Sequence, residues 1–456
     1  MCSLITSPRA DAWTVRGFAG LLIAAVSLHA ADRPMLQLSL RRAVDIATST
    51  EGSNRLQLAA ELTEQAKARS AQARAALLPS LDAAITEQNE NQNLSAFGLN
   101  LHSIPIPGGF EFPRIVGPYN LFDARLSASQ QVFDFSSIRR FQASRIATQA
   151  AKSDRDNAAE EVGAQVAKAY LAALRADADV RTAQANVELS QALLKQAESL
   201  KSAGTGTGID VTRQRVQLAN DNQRLLVSQN DRRRARLQLL KAMNLRLDTD
   251  VELTDRLTYN PVDSAEMEQV QAAALQMRPD YKAQLERQDN ARLSASAVKM
   301  ERLPSVSTFA NYGSIGSGIT SAFPTRAYGV TLRVPIFDGG KREGRRSEAE
   351  SQLRQERIRA SDLKDQIDLD VRLAVDALQS AEEEVKVADD GLTLAENEVA
   401  QARRRVDAGV AITLEVTDAQ TSLSRARDNQ TMALFHHAQA RIDLGQATGT
   451  LRRFLQ

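Results

Sequence analysis

Two runs of apolar residues, spaced alternately four and three apart, constrain this chain more than anything else in it. The first runs Val162, Val166, Ala169, Ala173, Ala176, Val180, Ala183, Val187, Ser190, Leu194, Ala197. The second runs Ile367, Val371, Ala374, Leu378, Ala381, Val385, Ala388, Leu392, Ala395, Val399, Ala402. Strict alternation of four and three is the period of left-handed coiled coils. Alanine at about every second seam position lets backbones approach closely. Beyond a glycine at 409 the second seam resumes at Ile412, Val416, Ala419 and Leu423 and continues to Ala447. The segment AGVAITLEVTDAQ (408–420) therefore joins two antiparallel arms, with Gly409 suited to the left-handed position that ends a helix. AGTGTGIDVTRQR (203–215) lies at a constant offset from it, Asp210 matching Glu415.

The repetition extends over nearly the whole chain beyond residue 31. ALLPSLDAAI (76–85) echoes ERLPSVSTFA (301–310), and QVFDFSSIRR (131–140) echoes PIFDGGKREG (335–344). Each half reads as a helix, Leu-Pro-Ser, two alternating segments around a loop, a long helix, a glycine turn and a returning helix. The halves differ mainly in the loop, which is long in the first and short in the second. The helices from about 136 to 203 and 340 to 408 each reach roughly 100 Å at ~1.5 Å per residue. The segments at about 40–78 and 209–246 are each a little over half as long, so two of them end to end match one long helix.

The alternating segments predict strands. In NLFDARLSASQQVF, Phe122, Ala124, Leu126, Ala128 and Val132 face one way; Asp123, Arg125, Ser127, Ser129 and Gln131 face the other. In AYGVTLRVP, Tyr328, Val330, Leu332 and Val334 oppose Gly329, Thr331 and Arg333. Period two with one polar face fits a membrane barrel around a watery lumen. Pro79 and Pro304 end the preceding helices, because the residue before proline avoids helical geometry. Strands are expected at about 80–92, 119–134, 305–314 and 326–338. The smallest membrane barrels have about eight strands, so four per chain imply a barrel shared between subunits, and three chains supply twelve.

Composition and address are consistent with this. The net charge is +1, which gives no bulk electrostatic case for nucleic acid, and aromatic residues make up 4%. Arg9 and Arg16 precede the apolar run GFAGLLIAAVSL, and Ala30 and Ala31 follow it, so residues 1–31 read as a secretory leader. The run is shorter than the roughly 20 residues of a spanning helix. The single cysteine, Cys2, lies in the leader, which leaves no disulfide in the mature chain. No phosphate loop, nucleophile elbow, dinucleotide fingerprint or Cys/His cluster is present; the chain reads as no enzyme and as needing no cofactor and no metal. His436 and His437 are adjacent and point to different helix faces, His437 onto the seam. RRRAR (232–236) and RRR (403–405) read as solvated helix faces paired with acidic neighbours. Pro279 in RPDY opens a helix.

In this order, repeated twice, the Leu-Pro-Ser starts (78–80 and 303–305), VPIFDGG (334–340), RPDY (278–281) and the paired glycine turns resemble the TolC family of outer-membrane efflux channels. The resemblance implies a mainly α fold with a membrane β portion: a homotrimer with a twelve-stranded barrel in outer-membrane lipid and a helical tunnel across the periplasm. It implies docking on a periplasmic adaptor protein and an inner-membrane pump of RND, ABC or MFS type. It divides the chain into a first repeat over 32–265, with its hairpin at 136–246 and a connecting segment at 247–265, and a second over 266–456, with its hairpin at 340–449. It also makes Asp210, Glu415 and Asp418 candidates for acidic gate rings, and Gly204, Thr205, Gly206, Gly409 and Val410 candidates for adaptor contact at the tips. An arginine that ties the gate in the family's type member is replaced here by Ala411.

Two other readings stand beside these. Carboxylates in a first helical turn stabilise the helix dipole by about 0.3–1 kcal/mol with no gating role; the two roles are compatible. An exported coiled-coil structural protein or an adaptor would also carry long heptads. Repeated strand pairs argue against the fibre, and a second hairpin argues against the adaptor. The expected function is passive exit for a tripartite efflux pump or a type I secretion system.

Overall fold

The computed structural model describes residues 35–49, 52–97, 114–262 and 273–455. The expected leader and most of the long loop of the first half lie outside the described residues. In chain order the elements are β1 (Leu36–Leu38), α1 (Leu40–Ala47), α2 (Asn54–Ala75), β2 (Ser80–Asn93), β3 (Ile115–Phe133), α3 (Phe135–Ser202), α4 (Gly208–Ala242), β4 (Val251–Leu253), α5 (Pro279–Met300), β5 (Ser305–Gly316), β6 (Phe323–Arg333), α6 (Lys341–Asp407) and α7 (Thr413–Thr448).

The heptads form two long hairpins. α3 and α6 have 68 and 67 residues, or about 100 Å each at ~1.5 Å per residue. α2 and α4 pack along α3, and α5 and α7 along α6. The halves are joined by α3, which also packs against α5 and α7. Ile367, Val371, Ala374, Leu378 and Ala381 of α6 meet Ala440, Leu444 and Ala447 of α7 in one buried cluster, as the seam demands. Asp134 caps α3, accepting from the Ser136 amide at 3.0 Å.

The first short arm is not one helix over 40–78. It breaks after Ala47 and restarts at Asn54, capped by Ser53. The cause is local: a Cβ on Gly52 would lie 2.2 Å from the Ile46 carbonyl oxygen, so only glycine lets the chain fold back on the end of α1. Further on, β4 turns the expected connecting segment into part of the core by pairing in parallel with β1, Leu36 opposite Val251. The Tyr170 hydroxyl of α3 secures this layer, donating to Leu38 O (2.8 Å) and lying 3.0 Å from Asp255 Oδ2. Burial, reinforced by the Asp255 carboxylate, pushes the Tyr170 pKa up and keeps its hydroxyl a donor.

The four long strands form one antiparallel sheet in the order β2-β3-β5-β6. The two repeats are stitched by β3 on β5, with Leu126 opposite Tyr312. Two expected boundaries shift. β3 starts at Ile115 rather than 119, because Asn93 and Gln92 of β2 extend the ladder to Ile115 and Val116. β6 runs from Phe323 to Arg333 rather than 326–338: Pro335 has no amide to donate to a ladder, and the chain leaves the sheet before it. Across the sheet Leu81, Ala83 and Ile85 share a face with Phe122, Ala124, Leu126, Ala128, Tyr312 and Tyr328. The opposite face carries Asp82, Thr86, Asp123, Arg125, Ser127 and Thr331.

Candidate functional site at the hairpin tips

Both tips are built by the same turn. At the end of α3 the Thr205 amide donates to Leu200 O (3.0 Å) and the Gly204 amide to Lys201 O (3.1 Å), with Gly204 at φ 75°. At the end of α6 the Val410 amide donates to Arg405 O (3.0 Å) and the Gly409 amide to Val406 O (3.0 Å), with Gly409 at φ 72°. These paired bonds define a Schellman motif, which satisfies the last carbonyls of a helix and needs a left-handed residue. Gly204, Thr205, Gly409 and Val410 are exposed, and Gly206 is half-buried.

The acidic candidates differ in surroundings. Asp210 is the third residue of α4 and forms a reciprocal capping box with Thr207: the Thr207 amide donates to Asp210 Oδ2 (3.3 Å) and the Asp210 amide to Thr207 Oγ1 (3.4 Å). Arg213 Nη1 is 3.6 Å from its other oxygen. These contacts give Asp210 a capping role. Glu415 sits in the first turn of α7, with Arg405 Nη2 of α6 at 3.5 Å. Asp418, one turn further, is exposed. Arg405, from the other arm of the same hairpin, thus brings a guanidinium to Glu415.

The second hairpin leans on the first just above the tips. Leu193 of α3 joins Ala395, Val399 and Ala402 of α6 and Val416, Ala419 and Leu423 of α7 in a buried cluster. Two polar links flank it: Gln214 Nε2 donates to Thr417 Oγ1 (3.0 Å), and Asn186 Nδ2 to Ser424 Oγ (3.0 Å). Above them α3, α4 and α7 enclose a polar groove of about 670 Å³, lined by Arg175, Asp179, Asp221, Arg224 and Asp428. Asp221 is 3% exposed and accepts from Ser190 Oγ at 2.5 Å. Burial raises the pKa of Asp179 against the pull of Arg175, with Asp428 and Asp231 adding to the rise. Burial likewise raises that of Asp428, against Arg224 and Arg175. Heptad reading misses this groove because its polar residues come from three helices and share no local pattern.

The other singled-out residues are structural. Arg236 Nη2 contacts both oxygens of Asp177 at 3.1 Å, and Arg232 lies 4.0 Å from the same carboxylate. Arg278 of RPDY bonds Asp280 (2.7 Å), Asp370 of α6 (3.2 Å) and the Ala447 carbonyl of α7 (3.1 Å), tying three helices at one point. His437 is fully buried, its ring 4.9 Å from that of Tyr259. Among the described residues no group could hold a metal ion, and no helix is long and apolar enough to cross a membrane.

The sequence profile described as outer membrane efflux protein matches residues 47–245 and 270–450. The pyoverdine export outer membrane protein OpmQ of Pseudomonas putida is 26% identical over 336 residues, covering 72% of this chain and 70% of OpmQ. Among solved structures, the CmeC outer membrane channel of Campylobacter jejuni superposes with a TM-score of 0.76 at 16% identity, over 90% of this chain and 86% of CmeC. The outer membrane protein VceC of Vibrio cholerae gives 0.75 at 18% identity, over 90% and 96%. The open state of the MtrE outer membrane channel of Neisseria gonorrhoeae gives 0.75 at 19% identity, over 91% and 90%. With its twofold-repeated strands and tunnel-length hairpins, this chain belongs to the outer membrane efflux protein family: it is a TolC-like channel protein of the outer membrane and not an enzyme.

Proposed function

We propose that three copies of this chain close a twelve-stranded barrel and a helical tunnel that together give passive exit to the substrates of a tripartite efflux pump. The observation that carries this is the sheet. It has four strands, with β2 and β6 at its edges, and an apolar outward face. A sheet edge left open in lipid strands several backbone groups without partners, which only closure relieves. Pairing β6 of one copy with β2 of the next supplies that closure in a ring of three.

In this reading residues 1–31 are removed on export, and two repeats, 32–265 and 266–456, give each subunit its pair of hairpins. Gly204, Thr205, Gly206, Gly409 and Val410 present the tips to a periplasmic adaptor, which couples the tunnel to an inner-membrane pump. Glu415 and Asp418 form acidic rings that favour cations in the constriction. The relation to OpmQ, a pyoverdine exporter by name, favours export of small molecules over type I secretion of proteins.

Heat-modifiable trimers in outer-membrane fractions, together with ion-conducting events of uniform size in planar bilayers, are the expected result. Recovery solely as a periplasmic monomer would refute the proposal.

A further inference from the structure

The outward face of the sheet sets the height of the membrane. On β3 it runs from Phe122 through Ala124, Leu126 and Ala128 and, past the bulge after Gln131, to Phe133 opposite Val306. Ten ladder steps of ~3.3 Å, on a strand tilted by roughly 45°, make that interval about 23 Å tall, close to the roughly 25 Å apolar band of such barrels. The periplasmic border then falls at the junctions between strands and helices. Phe133 at the end of β3 and Phe135 at the start of α3 mark it, and Ile336 and Phe337, 92% and 86% exposed, mark it before α6.

Cations collect just beyond this border. Arg139 and Arg140 lie on the first turns of α3, within about 8 Å of Phe135 at ~1.5 Å per residue. Lys341 opens α6 and Arg345 follows one turn later. Glu301 is shared by two of them: Arg345 Nη2 lies 2.6 Å from Oε2, and Arg140 bonds Oε1, so this trio retains a positive charge. Lys341 is exposed and engages no carboxylate among the described residues, and Arg139 donates to the neutral Gln142 amide at 2.9 Å. Nearer the opposite end of the band the outward face carries both signs, with Glu87 opposite Phe122 and Arg326 opposite Tyr312.

We infer that this collar binds the headgroups of anionic phospholipids in the periplasmic leaflet of the outer membrane. The inference rests on the outer-membrane placement of the barrel. Phe133, Phe135, Ile336 and Phe337 enter the boundary between acyl chains and headgroups. Arg139 and Lys341 reach back along their apolar stems to phosphate oxygens, as long cationic side chains do at such borders. Charge complementarity selects an anionic headgroup, and the adjoining apolar anchors select a lipid over free phosphate.

The test uses the full chain purified from outer membranes and reconstituted in nanodiscs of phosphatidylethanolamine and phosphatidylglycerol. Lipid retained after detergent exchange is read by mass spectrometry. In R139Q/K341Q the retained phosphatidylglycerol falls at least about fivefold, the scale set by a surface cation near an anionic headgroup, while phosphatidylethanolamine is unchanged. R233Q/R234Q, which removes two exposed cations from α4 far from the band, leaves both unchanged. Equal retention in R139Q/K341Q and wild type, or an equal fall in R233Q/R234Q, overturns the collar. Absence of the wild-type chain from the outer-membrane fraction overturns both the collar and the placement beneath it.

Discussion

Arg405 Nη2 lies 3.5 Å from Glu415 Oε1, across the turn that joins α6 to α7. The turn makes this meeting possible, because Gly409 reverses the chain within the five residues between Asp407 and Thr413 and brings the last turn of α6 beside the first of α7. Both side chains are well exposed, so the pair adds little to stability; exposed pairs contribute about 0–1 kcal/mol. Its effect falls instead on the charge at the tip. Removing the acids, as Glu415→Ala with Asp418→Ala, is expected to raise single-channel conductance or weaken block by polyvalent cations. Arg405→Gln leaves Glu415 uncompensated and is expected to strengthen that block. If bilayer recordings show the same block in both variants, the acidic-ring assignment fails.

The inter-hairpin bond from Gln214 to Thr417 is a candidate restraint on tip opening. Gln214→Leu and Thr417→Val together should couple in a double-mutant cycle by about 0.5–1.5 kcal/mol of stability, the net value of one hydrogen bond. If the bond restrains opening, each single variant also lengthens the open events in bilayers. Additive stabilities with unchanged open times would show that the hairpins part without regard to this contact.

The glycines at the turns separate two kinds of constraint. A Cβ on Gly204 or Gly409 meets nothing within 4 Å, so alanine there suffers only the left-handed backbone, about 1 kcal/mol per site. Gly52→Ala is expected to cost several-fold more, because its Cβ would collide with the backbone oxygens of Ile46 and Ala47. Thermal unfolding of the three variants should rank Gly52→Ala as the least stable by a clear margin.

His437 sets an acid limit for the second hairpin. Burial, and then the Arg441 guanidinium, hold its imidazole below the usual histidine value, with Glu382 pulling the other way. A folded-state pKa below the unfolded one means the unfolded chain binds a proton that the folded chain refuses. Stability therefore falls as pH drops below about 6.5, the unfolded value. Urea unfolding between pH 7.5 and 5 should show a downward slope in wild type that is reduced in His437→Leu. Equal slopes would place the acid sensitivity elsewhere.

Much of the architecture was legible because it rests on short-range periodicity. Coiled-coil seams repeat every seven residues and strand faces every two, and both survive in the chain whatever its partners. The tip turns were readable for the same reason, since a left-handed glycine and its two carbonyl acceptors span six residues. The acidic tip residues were visible, yet their roles were not. Asp210 and Glu415 match in the repeat, but one closes a capping box and the other faces an arginine, a difference set by Thr207 and Arg405.

By itself, the sequence determined the repeat, the lengths of the two long helices, the two turns and the alternation that gives each strand a polar and an apolar side. Each of these follows from backbone geometry acting over a few residues. Only the tertiary structure decided that β3 pairs with β5, that β1 finds β4 some two hundred residues away, that Arg278 ties α5 to α6 and α7, and that three helices enclose a polar groove around the buried Asp221. Those contacts join segments distant in the chain, and their energies come from burial and partner choice, which no local period encodes.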